Sequence, residues 1–281
     1  SAPTKFASNG FLKDYKLLLK NTNDRTKTGY NNESQSKNKL LSQFMYSISY
    51  PLKKESELYD DFIKPVFSLR FSPNKTKNIS SEDRRLDINN ITNVYLELLN
   101  QINSSNLLSN ISVKPTHIGL DIGIETFKEN ALKLVKKAKE YNNFIRFDME
   151  NSSTTDATIE TFKEIHKDYK NVGIVFQAYL KRTYSDLNKI ISQKINFRLC
   201  KGIYNEDIKI AYKNYDEINE NYLKIVELAF KNESYIGLAT HDLNLLKKIY
   251  KLIDKYDVSN KNFEFQVLYG VPMKGWLKRH L

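Results

Sequence analysis

The chain has 281 residues, 40% hydrophobic, 27% charged and 12% aromatic, enough to bury a large core in one barrel domain or two smaller domains. Only 9 Gly and 6 Pro occur, which excludes collagen-like and Pro/Gly-rich disordered classes. The net charge of +11, from 44 Lys+Arg against 33 Asp+Glu, invites a nucleic-acid or anionic-membrane reading. The lysines, however, are interleaved with acids, as in 133–140 and 163–170, and read as solvated helix faces. The tight pair Lys53-Lys54 is neutralised by Glu55 and Glu57. Nucleic-acid binding is therefore not expected, and peripheral contact with anionic lipid stays open. No run of about 18 apolar residues is present to cross a membrane. The opening Ser1-Ala2-Pro3-Thr4 has neither a basic nor an apolar leader region, so any targeting peptide is expected to be removed or absent. Cys200 is the one cysteine, which rules out an intrachain disulfide and a Cys-rich zinc site. Its place inside an apolar strand favours an inert thiol. His117, His166, His241 and His280 lack metal-ligand spacing, so no metal is expected.

Two regimes follow one another. Residues 1–110 are polar and carry weak helical patterns at 11–20 and 40–50, loops at 21–39 and 72–81, and a stronger helix over 88–102. In that helix Ile88, Ile91, Val94, Leu98 and Ile102 lie three and four apart. This region reads as a helical arm plus the start of a barrel. Residues 111–281 alternate short apolar strands with amphipathic helices. The strands are expected at 111–115, 144–149, 172–179, 196–201, 235–240 and 263–268. Helices are expected between them, with Phe127, Ala131, Leu134, Val135 and Ala138 on one face of the first. Ile159, Phe162, Ile165 and Tyr169 mark the second, with Asp156 as its N-cap. Near-continuous apolar strands alternating with helices imply a parallel sheet buried on both faces, as in an α/β fold of TIM-like (β/α)8 barrel type. An open doubly wound sheet is the alternative, but the GxGxxG signature that would support it is absent.

Each strand ends in groups a purely structural strand does not need. They are Lys114; Asp148 and Glu150; Gln177 and Tyr179; Arg198 and Lys201; and Thr240 and His241, while Glu264 and Gln266 lie within the sixth strand. In a β/α barrel the strand C-termini ring one mouth, where these groups would converge. The mixture of cations, amides and hydroxyls suits a phosphate-bearing cofactor and an anionic substrate. Neither a Walker lysine loop nor a Ser-His-Asp spacing is present. In the segment Lys201-Gly202-Ile203-Tyr204, glycine permits close approach of the backbone to a ligand, and Tyr204 can cover an aromatic ring.

The ordered segments SVKPT at Ser112, IRFDMEN at Ile145, VGIVFQAYLKRT at Val172, FRLCKGIY at Phe197, ATHD at Ala239 and FEFQVLYGV at Phe263 resemble the single-function proline dehydrogenase family. The resemblance runs from about Ile111 to the C-terminus. It implies a distorted β/α barrel binding FAD noncovalently and oxidising L-proline to Δ1-pyrroline-5-carboxylate, with hydride passing from proline C5 to flavin N5. The electrons would then go to a membrane quinone. That acceptor implies peripheral attachment at the cytoplasmic face of a bacterial inner membrane, or on the mitochondrial matrix side. By the same resemblance, Lys114 would lie beside the flavin and substrate, and Asp148 at the active-site floor orienting neighbouring cations. Met149 would sit near the cofactor, Gln177 would hydrogen-bond the flavin, and Arg198 would stabilise negative charge near N5. Cys200, Lys201, Gly202 and Ile203 would line the cofactor. Thr240 and His241 would contact its phosphate or adenosine part, Gln266 would touch it, and Leu268 would pack on the proline ring.

The sequence departs from the family at three places. The family continues beyond the position of Leu281 with an eighth strand and a Tyr-x-x-Arg-Arg-x-x-Glu helix whose arginines grip the proline carboxylate. The one Arg-Arg pair here, Arg84-Arg85, falls in a polar loop upstream. No clear first strand is evident; residues 66–71 are the best candidate, and a six-stranded remnant would leave open sheet edges. Ile203 stands where the family usually has Ala and would narrow the pocket. Two alternatives remain: a dehydrogenase for hydroxyproline or another cyclic amine, and a noncatalytic barrel fragment binding an anionic partner.

Overall fold

The computed structural model describes residues 81–268 together with two preceding strands, Leu41–Ile48 (β1) and Ile63–Arg70 (β2). The candidates at 11–20 and 21–39, the Lys53-Lys54 cluster and most of 72–81 lie outside the described residues. From there the chain runs α1 (Ser81–Ser104), β3 (Asn110–Val113), α2 (Ile124–Glu140), β4 (Ile145–Phe147) and α3 (Thr155–Asp168). It continues through β5 (Val172–Gln177), α4 (Thr183–Asn188), β6 (Asn196–Cys200), α5 (Tyr215–Lys231), β7 (Tyr235–Ala239), α6 (Leu243–Tyr256) and β8 (Phe263–Leu268).

Strands β3 to β8 form a curled parallel sheet in sequence order. β5 shows why: all six of its residues are buried, so both faces need cover, and helices supply the outer one. Phe127, Ala131, Leu134 and Ala138 of α2 are fully buried, while Leu132 on the opposite face is 56% exposed. Phe127 meets Phe147 of β4 edge to face at 6.0 Å. Burial of each such aromatic contributes roughly 1.5–3 kcal/mol. Ile159, Phe162 and Ile165 seat α3 in the same way. Two helices begin on side-chain caps: Asn214 accepts from the backbone N–H of Asp216 and Glu217, and Asp242 from those of Asn244 and Leu245.

The six-strand remnant does not stand with open edges. β2 pairs parallel to β3, and β1 pairs antiparallel to both β2 and β8, so the ring closes through β1. A full (β/α)8 repeat needs every strand parallel; the repeating β/α part here is the β3–β8 sheet. Residues 66–71 overlap β2, the expected first strand. The helix expected at 40–50 is instead β1. Its Phe44, Tyr46 and Ile48 alternate, while Leu41, Phe44, Met45 and Ile48 fit a helical spacing, and ladder partners on both edges decide between the two. Arg84-Arg85 lies in helix α1 rather than a loop. Asp156 falls in the first turn of α3, with Thr154 at the N-cap position, and pairs with Arg182.

Candidate functional site

At the C-terminal ends of β3–β8 lies a cavity of about 550 Å³. All fourteen of the site residues expected from the sequence line it: Lys114, Asp148, Met149, Gln177, Arg198, Cys200, Lys201, Gly202, Ile203, Tyr204, Thr240, His241, Gln266 and Leu268. Glu150 and Tyr179 follow strands and Glu264 lies near the start of β8; none of the three lines it. Val175, Tyr215, Ala239, Asp242 and Val267 line it without having been singled out. Of these, Asp242 carried a usable signal, an Asp immediately before an apolar helical pattern.

The floor is an ionic cluster on three parallel strands. Asp148, just past β4, is 6% exposed in its side chain. Its Oδ2 accepts from Lys114 Nζ at 2.9 Å, and its Oδ1 accepts from Arg198 Nη2 and from Ser112 Oγ. Arg198 also reaches Ser112 Oγ at 3.2 Å. Burial by itself would raise the Asp148 carboxyl, but Lys114 and Arg198 outweigh it and hold the group well below the usual carboxylate range. The same pairing raises Lys114, which stays charged. Glu150 steadies the segment after Lys114. Its two oxygens accept from the Thr116 N–H and hydroxyl, each at 2.8 Å, and burial raises its carboxyl. Gln177 donates to the Glu150 carbonyl at 2.7 Å. The amide is thus fixed between β4 and β5.

The rim is built around Asp242. One oxygen caps α6, and the other takes Lys201 Nζ at 2.7 Å, the Tyr215 hydroxyl and Asn219 Nδ2 at 3.3 Å. Lys201 lies 4.0 Å from the centre of the Tyr215 ring. His241 Nε2 accepts from the Leu268 N–H at 2.9 Å, tying β7 to β8, and burial lowers its pKa. Burial pushes the Cys200 thiol up, away from thiolate reactivity. Two expectations are refined. Gly202 has φ +116°, and a Cβ there would stand 2.1 Å from the Tyr179 ring, so a protein side chain already requires the glycine. Ile203, which also lines the cavity, is 88% exposed at its mouth. Arg84 is held by Asp121 at 2.7 Å and by the Thr116 carbonyl at 2.9 Å, and is not among the lining residues. Among the described residues no group of three or more His, Cys, Asp or Glu could hold a metal ion.

Comparison with known proteins gives this geometry a context. The chain is 34% identical over 180 residues to proline dehydrogenase 2 of Bacillus subtilis, covering 64% of this chain and 59% of that protein. It is 32% identical over 166 residues to proline dehydrogenase of Deinococcus radiodurans, covering 58% and 52%. The chain thus spans less than two thirds of the relatives it matches. Among solved structures, proline utilization A (PutA) of Bdellovibrio bacteriovorus, inactivated by N-propargylglycine, superposes with a TM-score of 0.61. The identity is 25%, over 66% of this chain and 24% of that one. PutA of Bradyrhizobium japonicum, at 17% identity and TM-score 0.57, shares the fold over 64% of this chain and 22% of its own. A family model described as proline dehydrogenase matches residues 68–274. The chain belongs to the proline dehydrogenase family.

Proposed function

We propose that this chain oxidises L-proline to Δ1-pyrroline-5-carboxylate, with FAD held in the cavity and a membrane quinone as the final electron acceptor. Family membership and the relatives named proline dehydrogenase support the reaction class. Bound there, the flavin would accept the hydride from proline C5 at its N5. The residues present fit such a group. The cavity combines apolar walls from Met149, Val175 and Leu268 with the amides of Gln177 and Gln266, and Gln266 Oε1 is buried with no hydrogen-bond partner.

One observation carries the reading: a single buried carboxylate, Asp148, fixes two cations, Lys114 and Arg198, at the floor. Two positive charges against one negative leave the floor net positive, in a water-poor site where such charge acts strongly on developing negative charge. Lys114 stays protonated, so it orients and stabilises and does not act as a base. Asp148 holds both cations in place. Met149 and Leu268, which line the cavity, would shield the reacting face from water. Lys201, Thr240 and His241 would hold the polar end of the cofactor. The quinone acceptor implies a peripheral seat at the cytoplasmic face of a bacterial inner membrane, and the net charge of +11 is compatible with anionic lipid there. No helix among the described residues is long and apolar enough to cross a membrane.

The test is spectroscopic. The full chain, incubated with FAD and freed of excess, is expected to keep a flavin spectrum that bleaches anaerobically on addition of L-proline and returns on addition of a short-chain quinone. Bleaching by hydroxyproline in preference to proline would shift the substrate within the class. A chain that retains no flavin would sink the proposal.

A further inference from the structure

Beneath the floor lies a second polar layer that the chemistry above does not use. Arg146 on β4 is buried; its Nη2 donates to Asn196 Oδ1 on β6 at 3.0 Å, and it stands 3.9 Å from Glu264 Oε1 on β8. The same Glu264 oxygen accepts from Gln266 Nε2 at 2.5 Å. Tyr235 on β7 also meets Glu264, and burial followed by that carboxylate pushes its phenol upward. Asn196, Arg146, Glu264 and Gln266 therefore form a chain of contacts across the sheet that ends at the cavity, which Gln266 lines.

A carboxylate only accepts, so Gln266 must turn its NH2 group to Glu264 and its carbonyl away. That carbonyl oxygen is buried and has no hydrogen-bond partner. Leaving a buried acceptor unmade is costly, which marks it as a place for an incoming donor. The backbone is shaped for this amide. Gly237 pairs with Glu264 in the ladder, and a Cβ at Gly237 would come within 2.9 Å of Gln266 Nε2. Any larger residue at that point of β7 would displace the amide.

We propose that Glu264 is a positioning residue: it locks the Gln266 amide so that the carbonyl is offered as an acceptor to a donor on the molecule in the cavity. On a flavin those donors are the ring N3–H and the ribityl hydroxyls, so the identity of the donor rests on the function proposed above. The lock itself does not.

The full chain carrying 15N-glutamine tests both parts. Without cofactor, the Gln266 side-chain amide, identified by its loss in Gln266→Leu, is expected to exchange slowly with solvent. That protection should collapse in Glu264→Gln and in Glu264→Asp. The aspartate keeps a charge for Arg146 while withdrawing the carboxylate from Gln266, so it serves if the neutral variant does not fold. With FAD, Gln266→Leu and Glu264→Asp are each expected to weaken binding about tenfold. The double variant should bind no more weakly than Gln266→Leu alone. A folded Glu264→Asp chain with unchanged exchange, or losses that add in the double variant, would overturn the assignment. If the wild-type chain takes up no FAD, the flavin reading falls, and the exchange comparison still decides the lock.

Discussion

At the floor of the cavity Asp148, 6% exposed, takes Lys114 and Arg198 on separate oxygens, and the guanidinium is itself only 5% exposed. At the rim Asp242, 10% exposed, divides its oxygens between capping α6 and holding Lys201, whose side chain is 24% exposed. Both places use one carboxylate to fix cations around the same cavity. They differ in what surrounds the charges. Loss of the floor carboxylate would strand Arg198 in a dry interior, whereas solvent can reach Lys201 at the rim and, with 23% of its side chain exposed, Lys114. The floor is therefore a rigid electrostatic element, and the rim an adjustable one.

The largest expected effect follows from breaking the floor. Asp148→Asn should cost about 3–5 kcal/mol in urea unfolding, because two cations lose their shared counter-charge. It should also flatten the acid limb of the stability profile. The native carboxyl is held far below its unfolded value, so its contribution is complete above the ordinary carboxylate range and lost as pH falls below it. An unchanged acid limb in the variant would remove Asp148 as its cause.

The next effect sharpens the same contrast. His117, three residues beyond Lys114, has its pKa lowered to about 4, first by burial and then by the Lys114 charge. The native imidazole stays neutral while the unfolded one gains a proton below about 6.5, so stability should drop as pH falls from there toward 4. The shift corresponds to roughly 3 kcal/mol. Urea midpoints at pH 7.5, 5.5 and 4.5 should show that slope, and His117→Gln should lose it.

The smallest effect belongs to the rim. Asp242→Ala removes a helix cap and frees Lys201, for about 1–2 kcal/mol in unfolding. A loss as large as that of Asp148→Asn would end the distinction between floor and rim.

Much of this site was legible in the sequence because a strand buried on both faces is a near-continuous apolar run. A polar residue closing such a run, as Asp148 closes the β4 strand or Lys114 follows β3, stands out against it. Glu264 and Gln266 were visible two apart in the last strand, but the tie of Glu264 to Arg146 was not: the two lie 118 positions apart, and nothing local in either segment announces the other. Strand β1 shows the opposite limit: eight residues whose apolar positions can be read as alternating or as helically spaced are decided by whichever neighbours offer hydrogen bonds. Gly202 was noticed as a point of close approach, but the partner proved to be Tyr179, brought near by the fold.

The sequence by itself determined the alternation of strands and helices from β3 to β8 and the set of polar residues at their ends, since burial and periodicity are written locally. Only the tertiary structure decided that Asp148 would hold Lys114 and Arg198 together, that β1 would join β2 to β8, and that a second charged layer would lie beneath the floor. Those outcomes depend on register across strands far apart in the chain, where the cost of an unpaired buried charge or an open ladder edge selects one arrangement.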